Sequence, residues 1–490
     1  MENTEIPILE ALQRYIKDEV IRFHMPGHKG KSELGHCLES LLGKDIFKAD
    51  VTNIPEMDDL HQPHGIIKKA QVLASEAFGS DITYFIINGS SCGLQALIMA
   101  AVNPGEKILV PRNIHRSILT GIILSGAVPI FYLPKYCPNF AIPCGVNPDT
   151  IRHTLDKNQT TKAVLIVNPT YHGITSDLSA IAEITHDKKI PLLVDEAHGP
   201  HLRFHEDLPP SSLEVGADAV VHGTHKMLTS LTQSAMVHIK GDLISRVRLE
   251  STLRLLQSTS TSYILLSSLD CARAHVQMYG RQLIDTTLKD CQSFRDKIGN
   301  MYPIEILNTS EIGRYGITGL DLTKVTISFR KLGISGFWIE KQLRDKYSIQ
   351  VEMSDLYNIL ILVTPGNSLF QLELLSAALI DIINDFKSNH PQEEAYMRTI
   401  ESIVIPEIPE MSLTPREAFF SDCRSISLDR AAGKICAEIV SCYPPGIPSL
   451  IPGEIITKAI IEHLQSLRDL GVHFQGCSDP DLQYINVIND

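Results

Sequence analysis

The sequence lacks several patterns that would place the protein in a particular class. Its ten cysteines include no CxxC pair and no zinc-finger spacing, so we expect reduced thiols and neither a disulfide framework nor a zinc module. No apolar run approaches the ~20 residues that a transmembrane helix needs. The first twenty residues lack the basic and then apolar segments of a signal peptide. These absences predict a cytoplasmic protein without a membrane partner.

Basic residues are also fewer than acidic residues. Lys and Arg number 44 against 57 Asp and Glu, which gives a net charge of −13. This excess argues against a nucleic-acid-binding surface, so we expect no nucleic-acid partner. It suits a cationic small molecule as substrate, although many cytosolic enzymes are equally acidic. The 43% of hydrophobic residues is typical of a globular protein, and 490 residues predict two to three domains.

Short apolar runs alternate with helical patterns between about residues 66 and 250. The runs are apolar on both sides and rich in β-branched residues, which predicts buried, mostly parallel strands in a βαβ architecture. Ligands bind such sheets at the carboxyl ends of the strands. The predicted strand ends carry these polar groups: Asn88-Gly89-Ser90-Ser91, Arg112-Asn113, Asn168-Pro169, Asp195-Glu196 and Thr224-His225-Lys226.

Changes of pattern along the chain predict five segments. An N-terminal segment (1–60) precedes a large α/β domain (61–260) and a smaller α+β domain (261–388). A stretch rich in Pro and Glu indicates a linker (389–411), and a C-terminal α+β domain follows (412–490). In the last domain we expect SLDRAAGKICAEIV to be helical.

Three of the strand ends carry groups that could bind a ligand or act in catalysis. The turn NGSSCG opens a helix at about Ser91, where backbone N–H groups and hydroxyls form an anion site, unless Ser90 merely caps the helix. Asp195 follows an apolar strand, where a carboxylate needs a partner such as a protonated ring nitrogen or an arginine. Lys226 is a Schiff-base nucleophile if it lies in an apolar strand-end pocket, and otherwise a surface lysine.

Together these groups match the needs of pyridoxal 5′-phosphate (PLP). PLP needs an anion site for its phosphate, a carboxylate for its pyridinium nitrogen and an amine for its aldehyde. Asp195 and Lys226 are 31 residues apart (226 − 195) at the ends of successive predicted strands. A metal site is the alternative reading of His198, His201 and His205, but helical HExxH geometry is absent. We therefore expect PLP and no metal.

Longer motifs run along nearly the whole chain. They include DDLHQPHGIIKKAQ, NGSSCG, RNIHRSI, VDEAHGPH, THKMLTSLTQSAMVH and STSTSYILLSSLD, as well as FHMPGHKG and YPPGIPSLIPGE. With these motifs the chain resembles the Orn/Lys/Arg decarboxylase family, in a short form without the N-terminal wing domain. The family lies in the aspartate-aminotransferase-like (fold type I) superfamily of PLP enzymes. The resemblance implies a PLP domain with a mostly parallel sheet, a smaller α+β domain and a C-terminal α+β region.

The resemblance also implies roles for individual residues. Lys226 would hold PLP covalently, Asp195 would pair with its ring nitrogen, and His115 would stack on its ring. The remaining cofactor contacts would come from Ser90, Ser91, Cys92, Ala197, His198, Thr224 and His225. In a homodimer or higher homo-oligomer, Thr259 or Ser260 would reach the partner's phosphate. Glu454, in the PGE motif, would lie near the distal cation of the substrate.

Three features depart from the family pattern. Cys92 stands where Thr is frequent, His222-Gly223 stand where a Ser or Thr pair is frequent, and STSTSY lacks a proline. Each missing hydroxyl removes a hydrogen bond to a charged group, a loss of ~1.5–3 kcal/mol. Thr224 and a partner subunit would then carry more of the phosphate than in relatives.

The implied function is PLP-dependent decarboxylation of a basic amino acid in polyamine biosynthesis. The short form favours arginine, with agmatine as product, over lysine or ornithine. Two alternatives stay open at this point. One is another fold-type I activity, such as that of an aminotransferase, an α-oxoamine synthase or a cysteine desulfurase. The other is a catalytically silent PLP-binding regulator.

Overall fold

A computed structural model of the chain describes residues 4–31, 36–301, 303–389, 406–443 and 446–489. The chain divides into two compact units, and each unit is made of two stretches of sequence. The first unit comprises Met1–Ala101 and Pro191–Gln282. The second comprises Val102–Ile190 and Leu283–Asp490. The boundaries of the five predicted segments stay predictions, and most of the predicted linker (390–405) lies outside the described residues.

Helices and strands alternate along most of the described chain. The helices are α1 (Pro7–Lys17), α2 (His36–Leu42), α3 (Asp45–Ala49), α4 (Ile66–Phe78), α5 (Gly89–Ala101), α6 (Arg116–Ser125), α7 (Pro148–Lys157), α8 (Leu178–His186), α9 (Thr224–Met227), α10 (Arg246–Leu256), α11 (Tyr263–Gly299), α12 (Gly336–Tyr347), α13 (Leu369–Asn389), α14 (Pro415–Phe420) and α15 (Lys458–Asp469). Short 3₁₀ helices lie at Pro55–Met57, Leu202–Phe204, Thr309–Glu311, Arg330–Leu332 and Leu428–Arg430.

The strands are short, and most of them follow or precede a helix. They are β1 (Ile82–Ile86), β2 (Lys107–Pro111), β3 (Val128–Tyr132), β4 (Tyr136–Cys137), β5 (Ile142–Pro143), β6 (Thr161–Val167), β7 (Ile174–Thr175), β8 (Leu192–Asp195), β9 (Ala219–His222), β10 (Ala235–Ile239), β11 (Glu305–Ile306), β12 (Gly319–Leu320), β13 (Lys324–Ser328), β14 (Met353–Ser354), β15 (Asn358–Leu362), β16 (Cys423–Ser427), β17 (Val440–Tyr443), β18 (Ile447–Leu450), β19 (His473–Gln475) and β20 (Tyr484–Ile488).

In the first unit the strands pair in the order β1-β10-β9-β8. The pair β8/β9 is parallel, whereas β9/β10 and β10/β1 are antiparallel. The sequence pattern did not predict β10. Its antiparallel direction follows from a connection that contains only the one-turn helix α9, because a parallel return needs a longer crossover. The carboxyl ends of β8 and β9 therefore lie side by side, and this arrangement positions the site described below.

The second unit contains the parallel strands β6-β2-β3 and several smaller sheets. Both pairs of β2 are parallel, as predicted from the alternation of strands and helices. The smaller sheet β11-β13-β15-β14 is antiparallel and packs a core with α12 and α13. The C-terminal strands pair as β18-β17-β19 and β16-β20. The mixed α/β class predicted from the sequence is confirmed.

A local sequence signal explains the end of helix α4, whereas one predicted helix near the C-terminus does not form. Helix α4 stops at Gly79, whose left-handed φ of 74° lets its N–H bond the carbonyl of Ser75 at 2.9 Å. The predicted helix over SLDRAAGKICAEIV is wrong. Only the 3₁₀ turn Leu428–Arg430 is helical there, because the backbone of Ile435 and Cys436 instead bridges to Ile455 and Val487. Strand pairing across distant sequence outweighs the local helical pattern.

Candidate functional site

Lys226 lies in helix α9, the single turn that directly follows strand β9. The turn closes because the N–H of Lys226 donates to the carbonyl of Gly223 at 2.8 Å. The side chain is half-buried, and its Nζ lies 2.9 Å from Nε2 of His198. Two residues predicted to surround one cofactor are therefore in direct contact.

Asp195 is the last residue of β8 and pairs with Val221 of the parallel strand β9. Its Oδ1 accepts a hydrogen bond from the N–H of Ala197 at 3.2 Å, and only 5% of the residue is exposed. Burial raises the pKa of this carboxyl, and the nearby charge of Lys226 works in the opposite direction. A buried carboxylate of this kind gains from a cationic partner, and a protonated ring nitrogen is one.

Gly223 explains a departure from the family pattern. A Cβ at this position would lie 2.9 Å from the carbonyl oxygen of Ala197 and 3.1 Å from Cδ of Lys226. The N–H of Gly223 also donates to that same carbonyl at 3.2 Å. The Ser or Thr that relatives often carry does not fit without a shift of the Lys226 stem or the Ala197 backbone.

Thr224 and the start of α5 are the predicted phosphate contacts. The Oγ1 of Thr224 is buried and has no hydrogen-bond partner among the described residues. Helix α5 begins at Gly89, two residues before the predicted start, so Ser90, Ser91 and Cys92 occupy its first turn. A buried hydroxyl without a partner is costly, and a phosphate oxygen would accept its hydrogen bond. The residues at the ends of β8 and β9 thus fit PLP.

His225 and the loop after α10 hold neighbouring strands in place. Nδ1 of His225 lies 2.8 Å from the carbonyl oxygen of Ser234, and burial lowers the pKa of the ring. The N–H of Ser258 donates to Oδ1 of Asn88 at 3.2 Å, which ties this loop to the end of β1. Thr259 and Ser260 follow and are exposed. Their predicted contact with a partner's cofactor stays a prediction.

His115 belongs to the second unit, where it forms the N-cap of α6. Its Nδ1 accepts a hydrogen bond from the N–H of Ser117 at 3.2 Å and lies 2.8 Å from the hydroxyl of the same serine. The cap fixes the orientation of the imidazole ring relative to the helix. Its predicted stacking on the cofactor stays a prediction.

Glu454 forms a buried ion pair that the sequence did not reveal. Nη1 and Nη2 of Arg112 bind its two carboxylate oxygens at 2.7 and 2.8 Å, and the N–H of Ile451 adds a bond at 3.0 Å. The side chain of Glu454 is 0% exposed and that of Arg112 is 10% exposed. Burial raises the pKa of Glu454, and the charge of Arg112 partly offsets that rise. The only sequence signal was a charged Arg112 directly after the apolar strand β2.

A cavity of about 570 Å³ lies beside this ion pair in the second unit. Most of its lining is apolar, and Arg112 and Ser449 form part of its wall. Ser449 is held by the same guanidinium, whose Nη2 donates to its carbonyl at 3.1 Å. Glu454 is thus one partner of an ion pair, and this ion pair lies beside a cavity large enough for a small molecule.

Two further observations concern metal and membrane. In the described ranges, no group of three or more His, Cys, Asp or Glu side chains is arranged to hold a metal ion. His198, one member of the alternative metal reading, contacts Lys226 instead. No helix within the described part of the chain is long and apolar enough to cross a membrane.

Comparisons with known proteins cover almost the whole chain. Residues 6–370 match the family model of the Orn/Lys/Arg decarboxylase major domain, and residues 397–486 match the model of its C-terminal domain. An arginine decarboxylase of Bacillus subtilis is 40% identical over 490 residues, which cover 100% of this chain and 99% of the relative. An arginine decarboxylase of Bacillus anthracis is also 40% identical, over 99% of this chain and 98% of its own.

A solved structure shares the fold. The Francisella novicida lysine decarboxylase LdcF superposes with a TM-score of 0.83 at 23% identity, over 100% of this chain and 82% of its own. This likeness, with the family match, confirms the predicted fold-type I architecture.

Proposed function

The chain belongs to the Orn/Lys/Arg decarboxylase family, and on that premise we propose that its substrate is L-arginine and its product agmatine. Membership makes the protein a PLP-dependent carboxy-lyase that acts on a basic amino acid. The choice of arginine is supported by full-length relatives at 40% identity that are named arginine decarboxylase. Agmatine is a precursor of polyamines, so a role in polyamine biosynthesis is consistent with this choice.

The observation that carries the cofactor roles is the cluster at the ends of β8 and β9. Lys226 would bind the aldehyde of PLP, Asp195 would pair with the ring nitrogen, and Thr224 would donate its unpartnered hydroxyl to the phosphate. Ser90, Ser91 and Cys92 would complete the phosphate site, with Ala197 and His115 on the two ring faces. PLP, when bound, draws electrons from the substrate Cα as the carboxylate leaves.

Lys226 and His198 are the proposed source of the proton that is transferred to the substrate. Nζ of Lys226 and Nε2 of His198 are 2.9 Å apart, within the range of direct proton transfer. A proton held between these two atoms can be delivered to Cα after CO₂ has left. Asp195 would take no part in that transfer, because in this proposal it pairs with the ring nitrogen.

The distal cation of the substrate would meet the Arg112–Glu454 pair. Glu454 alone offers one negative charge, which Arg112 already neutralises. In this proposal the substrate guanidinium would have to share the carboxylate with Arg112, because both of its oxygens already bind that side chain.

We also propose that the protein is a homodimer or a higher homo-oligomer in the cytoplasm. Exposed Thr259 and Ser260 on a loop fixed to β1 support a contact with a partner's cofactor. Free thiols at all ten cysteines support a reducing compartment. Light scattering on the PLP-loaded protein tests the first point, and a monomer mass would contradict it.

The decisive experiment measures CO₂ from the PLP-loaded protein with L-arginine, L-lysine and L-ornithine in parallel. We expect arginine to be turned over with the highest kcat/KM, and Lys226→Ala to be inactive with an unchanged circular dichroism spectrum. CO₂ chiefly from lysine or ornithine would refute the substrate. Amino transfer without CO₂ would indicate another fold-type I activity, and a visible cofactor band without turnover would indicate a silent regulator.

A further inference from the structure

A buried row of polar side chains crosses the sheet of the first unit. Side chains alternate between the faces of a strand, so the residues that follow Asp195 and Val221 point to the opposite face from these two. We call this row the buried ladder, and its members are Glu196, His222, His238 and Thr83. They are 0%, 2%, 0% and 1% exposed, respectively. The proposed reaction uses none of them.

Hydrogen-bond distances link the ladder from β9 to β1, and a longer contact links it to Glu196 after β8, because Nε2 of His222 is buried and has no hydrogen-bond partner among the described residues. Oε2 of Glu196 lies 3.8 Å from Nε2 of His222, and Nδ1 of His222 lies 3.0 Å from Nε2 of His238. Nδ1 of His238 then lies 2.8 Å from Oγ1 of Thr83. Beyond it, the hydroxyl of Ser80 is 2.9 Å from that of Thr83. The ladder thus joins all four strands of this unit's sheet.

The surroundings of the imidazole rings in the ladder limit the protonation state of His238. Phe78 packs against both rings, with centroid distances of 5.3 Å to His222 and 4.9 Å to His238. Burial, helped by the neighbouring His222, holds the pKa of His238 well below its usual value. His238 is therefore neutral and carries one ring proton. Whether this proton is on Nδ1 or on Nε2 sets the direction of the hydrogen bonds along the ladder.

One direction satisfies the buried atoms better than the other. If Thr83 donates to His238 and His238 to His222, then His222 carries its proton on Nε2 and presents it to Glu196. In the reverse direction, the Nε2 lone pair of His222 faces the carboxylate 3.8 Å away. Glu196 is fully buried, and its carboxylate accepts from the N–H of Ser212, at 3.4 Å for Oε1 and 3.1 Å for Oε2. A buried carboxylate requires donors, so the first direction is favoured.

Backbone hydrogen bonds connect the ladder to the cofactor site. The N–H of Glu196 donates to the carbonyl of Val221 at 3.1 Å, and the N–H of Gly223 donates to the carbonyl of Ala197 at 3.2 Å. These two bonds cross between the ends of β8 and β9, and the contact of Glu196 with His222 lies between them. Asp195 precedes this crossing on β8, and Lys226 follows it after β9.

We propose that Glu196 and His222 are positioning residues that hold Asp195 and Lys226 at the spacing the cofactor needs, with the ladder's hydrogen bonds donated toward Glu196. This inference rests on the proposed roles of Asp195 and Lys226. Both residues lie on the face of the sheet opposite that of Asp195, so they are not expected to contact the cofactor. Their effect passes through the ends of β8 and β9.

The test compares two replacements of His222. His222→Gln keeps one acceptor and one donor, so it can continue the ladder, whereas His222→Met fills similar space without either. We expect His222→Met to raise the dissociation constant of PLP from the apoprotein and to lower kcat, each by about tenfold. His222→Gln should stay within about threefold of the unaltered protein. Titration of the apoprotein with PLP gives the first quantity without any turnover.

Controls separate positioning from loss of stability and from failure of the proposed function. Leu379→Ala removes a fully buried side chain from the core of the second unit, and it should lower the thermal midpoint without changing PLP affinity. Equal behaviour of the Gln and Met variants would overturn the inference, as would a matching loss of PLP affinity in Leu379→Ala. If Lys226→Ala retains the cofactor band and activity, the proposed function fails instead.

A second readout addresses the direction of the ladder. In the apoprotein labelled with ¹⁵N at its histidine rings, His222 and His238 should both appear as Nε2–H tautomers. Loss of the corresponding signals in His222→Gln and in His238→Gln assigns them. An Nδ1–H tautomer at His222 would overturn the proposed direction.

Discussion

Replacing Arg112 alone should destabilise the protein more than replacing Arg112 and Glu454 together. Arg112→Met removes two charged hydrogen bonds, of 2.7 and 2.8 Å, and leaves a carboxylate whose side chain is 0% exposed. Its remaining bond comes from the N–H of Ile451. Losing one partner of a buried pair costs about 3–5 kcal/mol. The thermal midpoint should then fall by roughly 5–15 °C.

The second substitution should recover part of this loss. In Arg112→Met/Glu454→Gln no buried charge remains, and the Gln oxygen can still accept from Ile451. The double variant should therefore melt above Arg112→Met, although it carries one substitution more. Lys188→Met breaks an exposed pair with Asp156, whose side chains are 37% and 56% exposed, and should leave the thermal midpoint nearly unchanged.

The pH dependence gives an independent check. Burial already places the pKa of Glu454 above its usual value, and Arg112 opposes that shift. Without Arg112 the pKa rises further. An acid whose pKa is higher in the folded than in the unfolded state binds more protons when folded, so stability falls as pH rises above the unfolded value. Arg112→Met should thus approach the unaltered protein at pH 5 and fall furthest behind it at pH 8.

The assay is thermal melting of the unaltered protein, Arg112→Met, Glu454→Gln, the double variant and Lys188→Met at both pH values, followed by kinetics with L-arginine. If Glu454 meets the substrate, Glu454→Gln and the double variant will show a raised KM even where the melting temperature is restored. Additive losses in the double variant, or an Arg112→Met deficit that grows toward pH 5, would refute the argument from a buried pair.

Two further predictions concern the phosphate side of the site. Thr224→Val removes a buried hydroxyl without a partner, so the apoprotein should melt at the same or a higher temperature while PLP affinity falls by about tenfold; a less stable apoprotein with unchanged PLP affinity would contradict the phosphate role. Gly223→Ser adds a hydroxyl but forces a Cβ to 2.9 Å from the Ala197 carbonyl, so PLP affinity should fall, with about 1–3 kcal/mol of strain. Gly366→Ser, where the nearest atom would be the Thr364 hydroxyl at 3.3 Å, serves as control, and tighter PLP binding by Gly223→Ser would show that the site accommodates a side chain.

The sequence predicted those parts of the site that have a local signal. Asp195 and Lys226 each follow a short apolar strand, and a charged group in such a place needs a partner whatever the rest of the fold is. Their neighbourhood could be inferred because the carboxyl ends of parallel strands share one edge of a sheet. The end of α4 at Gly79 was predictable for the same reason, since the left-handed turn is a property of the glycine itself.

Features that depend on distant partners could not be predicted. Arg112 and Glu454 are 342 residues apart, and no pattern near either one names the other. In the segment after Ser427, where a helix was predicted, Ile435 and Cys436 instead form isolated β-bridges to Ile455 and Val487. In each case the deciding free energy comes from a contact that only the folded chain creates.

The Asp195-Glu196 pair carries a further signal in the sequence. Two consecutive acids at the end of a strand point to opposite faces, because the side-chain period of a strand is two. If one faces the cofactor, the other must find donors on the far face. The same period applied to β9 puts Val221 with Asp195 and His222 with Glu196, as the structure has them. His222 is thus the residue of β9 that lies beside the second acid, and its replacement by an apolar residue would leave Glu196 without that neighbour.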